Sequence, residues 1–203
     1  MEKMIVRQEA VGPWPMNSYA LICPETQGSV LIDPGADPEK LVAMLGESRP
    51  IAILLTHTHP DHIGALDAVG SRLNVPLMAH QLAGVDYPGG TAHLKLARAL
   101  RDGDTIDVGE HTLRVHYTPG HIADQICFRV EDEETAIVGD TLFEGGPGKT
   151  WSPEEFETTI RTLKNKVLKW PDNTVCYPGH GPHFRLGDIR PAIEQFVEKD
   201  HGS

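Results

Sequence analysis

T-H-T-H-P-D-H, residues Thr56 to His62, puts three histidines and one aspartate into seven positions. It directly follows the uncharged run Ile51-Ala52-Ile53-Leu54-Leu55, which reads as a buried strand. Four metal-ligand side chains where an apolar strand ends have little packing rationale and a direct coordination rationale. Partners for such a cluster should sit at other strand ends, because loops at one edge of a rigid sheet converge although they are distant in sequence.

Three partners fit that description: His121 in T-P-G-H, Asp140 in V-G-D-T and His180 in Y-P-G-H-G. Each follows a strand-like run directly or through a Pro-Gly turn, which bends the chain sharply and carries backbone close to the site. The candidate ligands are therefore His57, His59, Asp61, His62, His121, Asp140 and His180. They exceed what one catalytic zinc takes, which is three protein ligands and an open position. Two divalent ions fit better, with Asp140 as a shared carboxylate, and a hydroxide between them is a nucleophile available at neutral pH. Zinc is the expected ion, with iron and manganese as alternatives. The other histidines, His80, His93, His111, His116, His183 and His201, read as surface or hydrogen-bonded residues, the commoner fate of a lone histidine.

The 203 residues suffice for one substantial core, so a single domain spanning residues 1–203 is expected. Hydrophobic residues at 39% and charged residues at 23% mark a globular rather than a disordered chain. No apolar run is long enough to cross a bilayer, and the start, M-E-K-M-I-V-R-Q-E-A, lacks the apolar core of a secretory signal. A cytoplasmic protein without membrane contact is expected. Cys23, Cys127 and Cys176 form no C-x-x-C pair, and two of them sit in apolar segments as small buried hydrophobes of a reducing compartment. The net charge of −11 and the lack of any basic tract argue against nucleic acid, whose binding relies on Lys and Arg displacing counterions. The expected partner is a small-molecule substrate, and the expected state a monomer or homodimer.

Around the motifs, Asn17 to Ile22 and Ser29 to Ile32 read as hairpin strands. Asp37 to Leu45 reads as a helix with an Asp cap, Pro at its first position and Gly46 as its stop. Ile63 to Leu73 and Ala92 to Leu100 are predicted helices, Pro76 to Ala79 a short strand and Gly84 to Gly90 a loop. His111 to Tyr117, Gln125 to Val130 and Thr135 to Val138 are predicted strands. The first buries Leu113, Val115 and Tyr117 and leaves Arg114 and His116 on a wet face. Glu144 to Gly148 reads as a turning loop. Ser152-Pro153-Glu154-Glu155 carries a capping-box signature for a helix to about Leu168, Thr174 to Tyr177 reads as a last strand and Asp188 to Lys199 as a last helix. Strands in two groups, with helices between and after them, predict a layered α/β sandwich.

The pattern H-x-H-x-D-H followed by a distant His, an Asp and a final His resembles the metallo-β-lactamase superfamily. The resemblance implies a four-layer αββα sandwich with its site at one edge of two facing sheets. The T-P-G-H, G-D-T-L-F and Y-P-G-H-G segments are most similar to glyoxalase II-type hydrolases, the hydroxyacylglutathione hydrolases. That similarity implies one ion on His57, His59 and His121, a second on Asp61, His62 and His180, and Asp140 between them. It implies attack of a bridging hydroxide on a thioester carbonyl, with Asp61 as the catalytic residue that helps to orient it. The metals would stabilise the oxyanion and the departing thiolate. Lys149, where relatives often carry Arg, is the candidate contact for a substrate carboxylate, with a solvated loop lysine as the alternative.

Two departures qualify the likeness. Full-length glyoxalase II adds a helical C-terminal domain that supplies much of its glutathione surface, whereas this sequence ends shortly after His180. His121 is followed by I-A-D-Q, where Asp124 is either a cap or a pocket residue. The alternatives are a persulfide dioxygenase with one iron on His57, His121 and Asp140, and a hydrolase of another ester, lactone, β-lactam or phosphoester, decided by the loops 84–90 and 144–150. A non-catalytic metal-binding protein is the remaining class.

Overall fold

The structure is a computed structural model describing residues 2–84, 94–131 and 133–199. The first half of the chain forms β1 (Ile5–Val11), β2 (Met16–Ile22), β3 (Gly28–Ile32), α1 (Pro38–Leu45), β4 (Arg49–Leu54), α2 (Pro60–Ile63), α3 (Leu66–Leu73), β5 (Leu77–His80) and β6 (Arg98–Leu100). The second forms β7 (Thr105–Val108), β8 (His111–Tyr117), β9 (Ile126–Val130), β10 (Thr135–Gly139), β11 (Leu142–Phe143), β12 (Gly146–Pro147), α4 (Pro153–Asn165), β13 (Val175–Pro178), β14 (Phe184–Arg185) and α5 (Leu186–Glu198).

Two six-stranded sheets result, in the orders β1-β2-β3-β4-β5-β6 and β14-β13-β10-β9-β8-β7. Alternating side chains divide each strand between two cores. In β2, Tyr19 and Leu21 enter the core between the sheets, where they meet Val115, Phe128 and Ile137 of the second sheet. Ala20 and Ile22 point the other way, toward Leu41 and Leu45 of α1 and Val69 of α3. On the far side, Cys127, Ala136 and Val138 pack with Leu163 of α4 and Ile189 and Ile193 of α5. The layers are therefore helix, sheet, sheet, helix. Because both faces of the central strands are covered, β2 is buried at every residue and could not show a wet face.

Directionality sets the location of the motifs. β8 is antiparallel to β9 and β9 to β10, while β10 and β13 run parallel, so β8, β10 and β13 all end at one rim. Chain leaving these ends carries His121, Asp140 and His180, and chain leaving β4 carries Thr56 to His62 to the same place. The two sheets are tied together there: the Ile126 amide donates to the Thr56 carbonyl at 2.8 Å, and the Tyr19 hydroxyl to the Pro178 carbonyl at 2.6 Å.

Several expectations need correction. Arg98–Leu100 is a strand, paired parallel to β5, rather than the end of a helix from Ala92. Its residues favour helices, but Leu100 is wholly buried in the core between the sheets and edge pairing overrides propensity. Ala92, His93 and residues 85–90 of the expected loop lie outside the described residues, as does His201. The helix expected from Ile63 to Leu73 is broken at Gly64 and Ala65, where a Cβ on Gly64 would come within 2.5 Å of the Gly35 carbonyl oxygen. Asp37 precedes α1 but does not cap it with its side chain; its carboxylate accepts from the Gly12 amide instead. The capping box at Ser152 forms as expected, with Glu155 bonded back to the Ser152 amide.

Candidate metal centre

Each ligand is presented by a local device. Pro60 opens α2 immediately after His59, so Asp61 and His62 fall within one turn and face the rim. Gly179 of the Y-P-G-H turn lies so close to the site that a Cβ there would be 2.1 Å from Asp140 Oδ1 and 2.6 Å from His62 Cε1. Gly139, just before Asp140, has φ +49 and packs against Thr56.

The seven candidate ligands converge. His59 Nδ1 lies 3.1 Å from His57 Nε2 and 2.9 Å from His121 Nε2, and Asp140 Oδ2 lies 3.4 Å from His121 Nε2. On the other side, Asp140 Oδ1 is 3.4 Å from His62 Nε2, and His180 Nε2 is 3.1 Å from Asp61 Oδ2 and 3.8 Å from Asp140 Oδ2. Donors bonded to a tetrahedral zinc at ~2.0–2.1 Å lie roughly 3.3–3.5 Å apart, so these separations bracket those of shared ligands. His62 Nε2 and Asp140 Oδ1 are buried without a hydrogen-bond partner. A lone pair directed inward from a buried nitrogen is costly unless a cation or proton meets it. Donor chemistry, spacing and unpartnered atoms all fit two divalent ions, with Asp140 between the two sets.

The outward nitrogens support the same assignment. His57 Nδ1 is 3.0 Å from Thr56 Oγ1, His62 Nδ1 2.9 Å from Asp33 Oδ2, His121 Nδ1 2.7 Å from the Lys149 carbonyl, and His180 Nδ1 3.0 Å from the Pro15 carbonyl. When each Nδ1 donates to its oxygen, each Nε2 is left as the inward lone pair. Thr56 Oγ1 itself donates to Asp33 Oδ2 at 2.6 Å, and its amide to Asp33 Oδ1 at 2.7 Å. Asp33 thus anchors both His57, through Thr56, and His62 directly. Asp33 is not among the candidates read from the sequence; its signal is a carboxylate directly after β3, the strand adjacent to β4.

Burial, reinforced by the neighbouring His62 and His121, holds His57 well below the usual imidazole value, and burial lowers His59 to about 4. His121 is lowered by burial as well. The carboxylates reverse the trend in the other set. Burial pulls His62 down, but the facing carboxylates of Asp140 and Asp33 outweigh it and raise it to about 10. The bond to Asp61 raises His180, and that same bond lowers Asp61 to about 2. For Asp140, burial works upward and the facing His62 ring downward, with a lowered net result.

Lys149 is placed by two contacts: its carbonyl receives His121, and its exposed ammonium sits 5.7 Å from the Trp151 ring centre. Trp151, absent from the sequence reading, is 57% exposed and packs edge-on against His59 and obliquely on His121, forming a wall beside the ligands. Asp124 is buried and accepts from the Thr58 hydroxyl at 2.7 Å, so it braces the loop between two ligands. Three other histidines depart from a surface reading. His80 is buried and stacked on Tyr117, and His111 is buried at the opposite rim. His116 is half-buried beside Trp170, because the supposed wet face of β8 is roofed by the segment after α4; burial lowers it to about 4. His183 remains exposed. All three cysteines are free and buried.

Residues 11–180 match the Metallo-beta-lactamase superfamily. The chain is 35% identical to a probable metallo-hydrolase, YqgX, of Bacillus subtilis over 87% of this chain and 90% of that protein. It is also 35% identical to a hydroxyacylglutathione hydrolase of Polaromonas, over 80% of this chain but only 61% of the relative. The structure of BLEG-1 B3 metallo-beta-lactamase superposes with a TM-score of 0.81 at 30% identity, covering 92% of this chain and 97% of that one. The strand-end ligands and the paired sheets that carry them are those of a superfamily made up mostly of metal-dependent hydrolases, the metallo-β-lactamase superfamily, to which this chain belongs.

Proposed function

We propose that this protein is a dinuclear metal-dependent hydrolase of thioesters of the hydroxyacylglutathione type. The observation that carries the reading is Asp140, which stands between the two ligand sets: Oδ1 lies 3.4 Å from His62, and Oδ2 lies 3.4 Å from His121 and 3.8 Å from His180. His57, His59 and His121 would hold one ion, and Asp61, His62 and His180 the other. Bound divalent ions supply a hydroxide at neutral pH and polarise a carbonyl oxygen. The chain's own residues would position the reaction around that chemistry. Asp61, ionised at neutral pH and about one-third exposed, can accept a hydrogen bond from the attacking oxygen and orient it. Trp151 offers an apolar wall that excludes water from one side of the acyl group. Lys149, exposed beside it, provides a cation for a substrate carboxylate.

The likeness to the Polaromonas hydroxyacylglutathione hydrolase supports the thioester class. The B3 metallo-beta-lactamase likeness favours a second reading, attack on a β-lactam amide by the same centre. A one-iron persulfide dioxygenase would leave Asp61, His62 and His180 without a task, although they are assembled and anchored. The test is a side-by-side assay of the metal-loaded protein: thiol release from S-lactoylglutathione, ring opening of a β-lactam, and oxygen uptake with glutathione persulfide. Thiol release as the fastest reaction is expected. Oxygen uptake or ring opening without thiol release would overturn the proposal.

A further inference from the structure

The rim opposite the candidate centre carries a second group of ligand-type side chains. Cys23 follows β2, Glu25 lies in the turn to β3, His111 opens β8 and Glu133 lies in the turn between β9 and β10. β8 separates this group from the first centre by six steps, or roughly 20 Å of strand. A Cys23 sulfur, a Glu25 carboxylate oxygen and a His111 ring nitrogen all lie within 4.8 Å of one another. Glu25 Oε2 is 3.3 Å from Cys23 Sγ and 3.8 Å from His111 Nε2.

His111 is 1% exposed, and neither of its ring nitrogens has a hydrogen-bond partner of acceptable geometry. A polar ring held in the interior in this way calls for a ligand. Its Nδ1 is approached by Glu133 Oε1 at 3.3 Å, and its Nε2 faces Cys23 and Glu25. Carboxylate behind one imidazole nitrogen and ligands before the other is the arrangement by which proteins orient a metal-bound histidine. The remaining parts are fixed in advance. Amides of Glu2 and Met4 donate to Glu25 Oε1 and Glu133 Oε1, and the Glu110 amide lies 3.5 Å from Cys23 Sγ. Gly109, at φ +63, abuts Cys23 so closely that a Cβ would stand 2.5 Å from the sulfur.

We propose that Cys23, Glu25 and His111 form a separate site for a zinc-class divalent ion that joins the two sheets at the closed rim. A thiolate, a carboxylate and an imidazole suit a borderline-soft ion, and the 3.3 and 3.8 Å separations match donors around one tetrahedral centre. Binding replaces the proton that Cys23 now shares with Glu25 and releases it to solvent. Two turns from different sheets would then be cross-linked without any part in hydrolysis.

Cobalt(II) gives a specific readout, because the first centre has only nitrogen and oxygen donors. Protein loaded with cobalt(II) should show a thiolate-to-cobalt charge-transfer band and one metal per chain more than Cys23→Ser, which should lack the band. Glu25→Gln, altered at a partly exposed carboxylate, should keep the fold and bind this cobalt at least about tenfold more weakly. It decides the matter should Cys23→Ser fail to fold. A cobalt protein without the band, or with the same band and stoichiometry in these variants, would make the cluster a His111–Glu133 ion pair and overturn the proposal.

Discussion

The two halves of the candidate centre share Asp140 but are built on opposite electrostatic plans. His57, His59 and His121 are imidazoles lowered by burial, so all three present lone pairs at neutral pH. His62 is raised to about 10 by Asp140 and Asp33 and holds a proton that an incoming cation must displace, and Asp61 raises His180. On this plan the first half would bind an ion without losing protons, and the second would give up the His62 proton to do so. Exposure cuts across this division: His57, His121 and His62 are buried, His59 is partly exposed, and Asp61 and His180 remain about one-third exposed. One rim would thus offer one ion a set of neutral imidazoles and its neighbour a set already paired with carboxylates, next to the face a substrate would approach.

The largest test of this comparison removes the shared residue. Asp140→Ala should weaken both halves together and lower hydrolysis by about 10³-fold or more; metal content and rate are read on the same sample, and full activity would break the comparison outright. Acidification should then separate the halves. The imidazoles of the first half, lowered by burial, have few protons to give up near neutral pH, whereas the proton displaced from His62 weakens metal binding by up to about tenfold per unit fall in pH. Calorimetric metal titrations of Cys23→Ser, which leaves only the rim centre, at pH 8, 7 and 6.5 should show one flat and one steep step. Equal slopes would dissolve the distinction.

Smaller effects sharpen it. Asp33→Ala removes the acceptor behind His62 and should cost roughly 10–100-fold in metal affinity, mostly in the second step. Ser152→Ala, which breaks the capping box of α4, should cost about 1 kcal/mol of stability and leave both metal steps unchanged. Denaturant unfolding measures the first and titration the second.

The contrast between ligands and supports also marks what could be read in advance. His57, His59, Asp61, His62, His121, Asp140 and His180 each stand at the end of a strand, and proline and glycine beside them announce the turn, so each is a local signal. Asp33 is not. Its role depends on the parallel pairing that sets Ile32 beside Leu54 and so brings Asp33 to Thr56, a fact of register between distant segments. The burial of His80, His111 and His116 is likewise decided by layers laid over them from elsewhere in the chain. A layered α/β sandwich was legible from strand and helix grouping and its four-layer form from the family resemblance, while short strands such as Arg98–Leu100 were hidden by helix-favouring residues.

The most direct measurement is an anomalous-difference map, collected at the zinc and iron edges, from a crystal of protein purified without chelator. The account predicts two peaks in the rim centre, about 3.5–4 Å apart, one within bonding distance of His57, His59 and His121, the other of Asp61, His62 and His180, with Asp140 between them. A single peak bound by His57, His121 and Asp140, with the second set empty, would contradict it.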